Sequence, residues 1–244
     1  MEWCEQLADQ TGQYAFTWNY TVEGVSAEER FVEELSNIIR GNVLDVGCGH
    51  GEFTNRWAER AQEIVGYDMT AGFLRTANLI RRPNTRFVLG RTHDGLPFED
   101  GYFDVAFTKK GPTSWYPEAT RILKPGGNVA ALHPGDGDGE GNELGEYFPG
   151  LFPPPKKGTP ILDKIQERLS GSGLKVTDIR VVRETVYLHT PVDIFAMAGF
   201  GQNKQVYEWI KEMCFDGIRS RFEQYRGSKG IQTTNFYYLL LAKT

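Results

Sequence analysis

An acidic residue and three glycines at alternate positions carry the first chemical signal in this sequence. The stretch from Val43 to Gly51 reads VLDVGCGHG. This pattern predicts a buried parallel strand that breaks into a tight turn before a helix, so that backbone N–H groups face outward toward a polar ligand. Glu52 stands where a dinucleotide fingerprint needs its third glycine, and no G-x-x-x-x-G-K-[ST] occurs. Asp45 would repel a pyrophosphate but suits a ligand that carries an ammonium group.

The motif VLDVGCGHGEF resembles the first motif of the class I S-adenosylmethionine (SAM) dependent methyltransferases. The resemblance runs in order from about Val43 to Leu132 and includes the segments LPF…DGYFDVAF and RILKPGG. It implies SAM as the cofactor and S-adenosylhomocysteine as the product. It also implies a Rossmann-like α/β fold: a seven-stranded, mostly parallel sheet with helices on both faces and a helical insertion before the last strand.

A second acid follows at the distance that this architecture requires. Asp68 lies 21 positions after Gly47, and a carboxylate at that spacing ends the neighbouring strand, where it can accept from both ribose hydroxyls. Thr92 replaces the acid that usually precedes LPF in the family, so we expect adenine contacts around Thr92 and His93. The expected cofactor-binding residues are Asp45, Gly47, Cys48, Gly49, Gly51, Asp68, Met69, Thr92, His93 and Lys109.

The acceptor side of the site is predicted from residues at the ends of the fourth and fifth strands of the family pattern. Lys109 and Lys110 follow the fourth strand, where open α/β sheets bind ligands. We expect Lys110 to bind an acidic acceptor, with a solvated lysine pair as the alternative. Positioning supplies much of the rate of methyl transfer, and a general base helps with some acceptors. His133 is the candidate base, with a structural role as the alternative.

Three segments are predicted to surround this site within a single domain that spans 1–244. Residues 1–25 are rich in aromatic side chains and either cap the core or form a lid. Residues 134–158 contain a stretch, Asp136 to Glu143, in which acids alternate with glycine. An EF-hand loop would need a glutamate at the position of Tyr147, so this interpretation fails. We expect a flexible active-site loop. Residues 190–228 are expected to be a helical insertion over the acceptor. We also expect an aromatic wall made by Tyr14, Trp18 and Tyr116.

Composition bounds the class of protein. The chain has 244 residues, a net charge of −5 and basic residues that never run beyond doublets, which argues against a strong grip on nucleic acid. The polar N-terminus is no signal peptide, and the longest apolar run, Phe236 to Ala242, is too short to cross a bilayer. Three separated cysteines indicate a reducing, cytoplasmic setting without a metal site. We expect a monomer or homodimer.

Four functions follow from the sequence, in order of preference. The first is methyl transfer from SAM to an oxygen or nitrogen of a small molecule. The second is methylation of an RNA base, because K-K-G-P and the segment from Tyr187 loosely resemble the rRNA guanine-N1 methyltransferases, although their cysteine-rich zinc module is missing. The third is non-catalytic SAM binding. The fourth, an NAD-dependent oxidoreductase, conflicts with Glu52.

Overall fold

The computed structural model of the protein describes residues 2–244, in which eight strands form one sheet. The strands, in chain order, are β1 (Tyr20–Val22), β2 (Asn42–Val46), β3 (Glu63–Asp68), β4 (Thr85–Leu89), β5 (Phe103–Lys109), β6 (Leu123–Pro134), β7 (Lys175–Leu188) and β8 (Ile231–Lys243). Their order across the sheet is β1-β7-β8-β6-β5-β2-β3-β4.

The sheet is mixed, and this corrects the prediction of seven mostly parallel strands. The pairings of β2 with β3, β3 with β4, β2 with β5 and β5 with β6 are parallel. The pairings of β6 with β8, β7 with β8 and β1 with β7 are antiparallel. The eighth strand is β1, which lies in the segment predicted to be a cap or lid. Only three residues of that segment pair with β7, too few for a sequence pattern to reveal.

Helices connect the strands and cover both faces of the sheet. They are α1 (Glu2–Thr11), α2 (Ala27–Ile38), α3 (Glu52–Asn55), α4 (Ala71–Leu79), α5 (Ala119–Ile122), α6 (Leu144–Tyr147), α7 (Pro160–Ser170), α8 (Pro191–Gly199), α9 (Lys204–Trp209) and α10 (Phe215–Tyr225). A π-helical turn over Ile210–Cys214 joins α9 to α10. Helices α8 to α10 lie between β7 and β8, as an insertion before the last strand requires.

Alternate residues of the central strand β2 point into two separate cores. Val43 packs in a cluster with Phe31 and Leu35 of α2, whereas Leu44 packs in a cluster with Trp115 on the other face. This alternation is the period-two geometry of a strand that is covered on both sides. The result is a three-layer α/β/α arrangement in which the glycine turn after β2 is held from both faces.

Local sequence signals explain where several helices begin and end. Ser26 and Glu29 form the capping box that starts α2, as the sequence pattern indicates. The helix after the glycine turn is short: α3 ends at Asn55, and a 3₁₀ turn over Ala58–Arg60 follows. Helix α5 is also short, since Leu123 already belongs to β6.

A third apolar cluster lies at the edge formed by the ends of β7 and β8. Leu188 and Ile231 of these strands pack with residues of α6, α8 and α10, including Leu144, Ile194 and Phe222. The insertion therefore has its own small core. Among residues 2–244, no helix combines the length and the apolar character that a membrane crossing requires.

Candidate functional site

The turn after β2 depends on glycine at three positions. Gly47, Gly49 and Gly51 all have positive φ angles, of 80°, 55° and 78°, a region that other residues enter at a cost. Space is short as well: a Cβ on Gly47 would come within 2.9 Å of Cδ of Pro112, and one on Gly51 within 2.6 Å of the Phe87 ring. The sequence pattern therefore reflects both backbone conformation and close packing.

The carboxylate of Asp68 lies beside this turn at the end of β3. Its Oδ2 accepts a hydrogen bond of 2.9 Å from the Gly49 amide, and its Oδ1 accepts one of 2.8 Å from the Thr70 amide. Parallel pairing of β2 with β3 brings the two strand ends to the same sheet edge. These two amides fix the carboxylate, and the lone pairs that they leave free remain available to a ligand.

Asp45, the acid of the glycine motif, is buried within β2. Thr54 Oγ1 donates a hydrogen bond of 2.7 Å to its Oδ2. Burial raises the pKa of Asp45 to about 7, against the lowering effect of the Thr54 hydrogen bond and of the Lys109 charge. This carboxyl group thus changes its charge near neutral pH, and a cation placed close to it would favour the ionised form.

Residues expected near adenine lie in the turn that follows β4. Thr92 Oγ1 and Ser114 Oγ are 2.5 Å apart, so the hydroxyl of Thr92 is already engaged. The exposed side chain of His93 lies 3.2 Å from Asp94. Met69, which follows Asp68, is also exposed. Because β4 pairs with β3, these residues lie at the same sheet edge as the glycine turn.

The N-terminal segment crosses over the glycine turn. The amide of Tyr14 donates to Nδ1 of His50 at 3.3 Å, and a Cβ on Gly49 would lie 3.8 Å from Cβ of Tyr14. The Tyr14 ring meets the ring of Phe200 from the insertion edge-on, at 6.0 Å between centroids. The N-terminal segment therefore lies over the turn, and Phe200 of the insertion packs against that segment. Their role as a lid stays a prediction.

A cavity of about 1170 Å³, which we call the large cavity, adjoins this region. It lies at the carboxyl ends of β5 and β6 and beside β7 and β8. Residues from many parts of the chain line it, among them Phe16 from the N-terminal segment, Lys110 after β5, Glu184 from β7, Met197 from α8 and Tyr237 from β8. Tyr14 also lines it, so the large cavity meets the glycine turn at the N-terminal segment.

The two lysines at the carboxyl end of β5 have separate environments. Lys109 Nζ is 2.9 Å from a carboxylate oxygen of Glu28 and 4.1 Å from the centroid of the Phe53 ring. Lys110 has a left-handed backbone with φ of 59°, and its side chain enters the large cavity. Its Nζ lies 5.3 Å from the centroid of Phe16 and 5.1 Å from that of Tyr237. Burial lowers the pKa of Lys110.

His133 lies in the interior of the protein. Its Nε2 is 2.6 Å from the hydroxyl of Tyr116, and it also hydrogen bonds with the backbone of Gly111. Burial lowers the pKa of His133 to about 4, so the ring is a weak base. The described residues that line the large cavity include its neighbour Pro134 but not His133. These contacts give His133 a structural role; its role as a general base stays a prediction.

Two further expectations concern the aromatic wall and the segment 134–158. Tyr116 is buried against His133, so it is not part of an aromatic wall, whereas Tyr14 and Trp18 do line the large cavity. The segment 134–158 is held by side-chain contacts rather than left free. Glu143, for example, accepts hydrogen bonds from the amide and the hydroxyl of Thr234. The flexibility expected of this segment stays a prediction.

Comparison with known proteins shows which family the central part of the chain resembles. Residues 43–127 match the model of a methyltransferase domain, and they hold the glycine turn, Asp68 and the strands that carry them. Over these residues the chain is similar to the class I, SAM-dependent methyltransferases. An uncharacterized methyltransferase of Synechocystis sp. is 32% identical over 140 residues, which are 50% of this chain and 65% of that protein.

Other relatives match over a smaller part of their length. A trans-aconitate 2-methyltransferase of Deinococcus radiodurans is 31% identical over 42% of this chain and 41% of its own. The fold extends further: a functionally unknown protein from Deinococcus radiodurans R1 shares 20% identity and a TM-score of 0.69 over 99% of both chains. The [4+2]-cyclase SpnF has the same fold, with 16% identity, a TM-score of 0.55 and coverage of 99% of this chain and 92% of its own.

The residues present fit the cofactor of the family. Three glycines with positive φ leave the turn without side chains, Asp68 ends the next strand, and Asp45 is an acid that a cation would ionise. Glu28, Glu184 and Tyr237 are members of the site that the sequence analysis missed. They come from segments far apart in sequence, and no motif marks them.

Proposed function

We propose that this protein transfers the methyl group of SAM to an oxygen or nitrogen of a small-molecule acceptor bound in the large cavity. The observation that supports this most directly is that the cavity lies at the carboxyl ends of β5 and β6, next to the glycine turn after β2. Both ligands would then meet at one sheet edge, where open α/β sheets bind their ligands.

SAM supplies an electrophilic methyl group on a sulfonium. In the proposed reaction a bond forms between the acceptor atom and the methyl carbon, the carbon–sulfur bond breaks, and S-adenosylhomocysteine leaves. The residues of the chain act by positioning and by excluding water. Asp68 holds the ribose, the glycine turn and Asp45 hold the amino acid end, and Met69, Cys48, Thr92, His93 and Lys109 complete the cofactor site.

The aromatic residues of the N-terminal segment support the exclusion of water. Phe16 and Trp18 stack with centroids 4.5 Å apart, and both meet the ring of Phe200 from the insertion. Residues 1–25 and 190–228 thus act as a cover over the acceptor. The trans-aconitate 2-methyltransferase among the relatives is consistent with a small-molecule acceptor. The unpaired thiols of Cys4, Cys48 and Cys214 suit a cytoplasmic location.

Transfer of a labelled methyl group tests the proposal. Tritiated SAM is incubated with the protein and, in separate reactions, a metabolite extract and total RNA. We expect label in small molecules, and less label with the Asp68→Asn variant when SAM is below the concentration that saturates the parent. Label confined to RNA would show that the acceptor is a nucleic acid, and SAM binding without transfer to either pool would indicate a non-catalytic protein.

A further inference from the structure

We propose that the acceptor is an organic carboxylate with an apolar body, and that Lys110 binds its carboxylate in the large cavity. This inference rests on the proposed function and names the substrate class of the same site. It depends on which of the charged groups that line the cavity have partners within the fold.

The carboxylates that line the large cavity are all engaged by the protein itself. Each accepts a hydrogen bond or forms an ion pair: Glu28 with Lys109, Glu29 with Ser26, Asp136 with the amide of Ile161, Glu140 with Arg183, and Glu184 with the amide of Ala27. The lone pairs that these contacts leave free remain open to a ligand, as those of Asp68 do, so the charge of the acceptor depends on the cations of the lining.

The cations of the same lining are in the opposite situation. Arg56, Lys110 and Lys156 line the large cavity. Among residues 2–244, no carboxylate oxygen lies within 4.0 Å of a side-chain nitrogen of these three residues. Arg56 and Lys156 are exposed and solvated, but Lys110 is largely covered. The carboxylates of Glu28 and Glu184 raise the pKa of Lys110 from beyond contact distance, whereas burial lowers it. A carboxylate in direct contact with the covered ammonium would add an ion pair that the described residues do not supply.

The backbone of Lys110 adds an independent observation. A non-glycine residue with φ of 59° is strained, and the amide of Lys110 is held in place by the carbonyl of Leu132 at 2.6 Å. Strain of this kind persists where the surroundings impose it and is concentrated at functional sites. Here it directs the side chain between the rings of Phe16 and Tyr237.

The rest of the lining indicates an apolar body for the acceptor. Phe16, Trp18, Tyr20 and Tyr237 present aromatic rings to the large cavity, and Met197 adds an aliphatic surface. Such walls bury the carbon skeleton of a ligand, while one charged group fixes its orientation. An aromatic or extended aliphatic carboxylate meets both conditions.

Three probes of equal size test the inference by isothermal titration calorimetry: 3-phenylpropanoate, its amide 3-phenylpropanamide, and the amine 3-phenylpropylamine. We expect the acid to bind at least about tenfold more tightly than the amide, since a hydrogen bond to a charged group is lost in the amide. The Lys110→Met variant should bind both equally, whereas Lys110→Arg should keep the preference. Lys175→Met, which removes an exposed lysine outside the cavity, is the matched control.

A titration with S-adenosylhomocysteine on the same variants separates this inference from the proposed function. Parent-like binding of S-adenosylhomocysteine by Lys110→Met would show that the variant is folded with an intact cofactor site. Failure of every variant to bind S-adenosylhomocysteine would count against the proposed function, whatever the probes do. Equal binding of acid and amide by the parent, preference for the amine, no binding of the acid, or an unchanged preference in Lys110→Met would overturn the carboxylate inference.

Discussion

Replacing Asp68 with asparagine tests the ribose contact with little change of shape. The carboxylate accepts from two backbone amides, those of Gly49 and Thr70, and we propose that it also accepts from the ribose hydroxyls of SAM. Asparagine has one acceptor oxygen and one NH₂ group, so one of the two amides and one hydroxyl lose their partner. Alanine would remove every acceptor and disturb the turn more severely.

The size of the effect follows from the charge that is lost. A hydrogen bond to a charged group contributes about 1.5–3 kcal/mol, so Asp68→Asn should weaken SAM binding by about ten- to 150-fold. The free energy of unfolding should fall as well, by about 1–3 kcal/mol, because one buried amide is left without a partner. Calorimetric titration with SAM and urea denaturation measure the two effects separately.

A matched ligand pair distinguishes a ribose contact from general damage to the turn. The parent should bind adenosine more tightly than 3′-deoxyadenosine, and Asp68→Asn should lose most of that preference, as in a double-mutant cycle. Asp216→Asn is the control, since Asp216 is exposed on α10 and pairs only with Arg219. SAM binding by Asp68→Asn within twofold of the parent, or an unchanged preference for adenosine, would refute the assignment.

Three further predictions concern the packing and charge of the site. Gly51→Ala should destabilise the protein by about 1–3 kcal/mol more than Gly101→Ala in urea denaturation, since both have positive φ but only the first meets a wall of side chains; equal losses would contradict this. SAM affinity should fall by up to about tenfold per pH unit below pH 7, because binding of an ammonium must first release the proton of Asp45. This dependence should vanish in Asp45→Asn, and a flat profile in the parent would refute it. Tyr116→Phe should cost about 1–3 kcal/mol of folding stability by leaving Nε2 of His133 without a partner, and an unchanged urea midpoint would show that this hydrogen bond is not stabilising.

The parts of the fold that the sequence predicts are those encoded in contiguous residues. The glycine turn, the acid that ends β3 and the capping box of α2 are local patterns, and the structure reproduces them as turn, strand end and helix start. Local patterns fix backbone conformation and hydrogen bonding over a few residues. They therefore cover the half of the site that we propose for the cofactor.

Other features, including the half of the site that we propose for the acceptor, depend on contacts between residues that are far apart in sequence. Glu184 meets the amide of Ala27 across 157 positions, and His133 meets Tyr116 across 17. Nothing in the spacing of these residues announces the pairing. The same holds for β1, whose three residues form a strand only because the edge of β7 is available to them. Tertiary packing decides these features.

A crystal structure of the protein with S-adenosylhomocysteine tests the central claim most directly. We predict ligand density along the glycine turn, with both ribose hydroxyls about 3 Å from the carboxylate oxygens of Asp68. The sulfur should face the large cavity that holds Lys110. Density elsewhere, or an Asp68 carboxylate that contacts only the amides of Gly49 and Thr70, would contradict it.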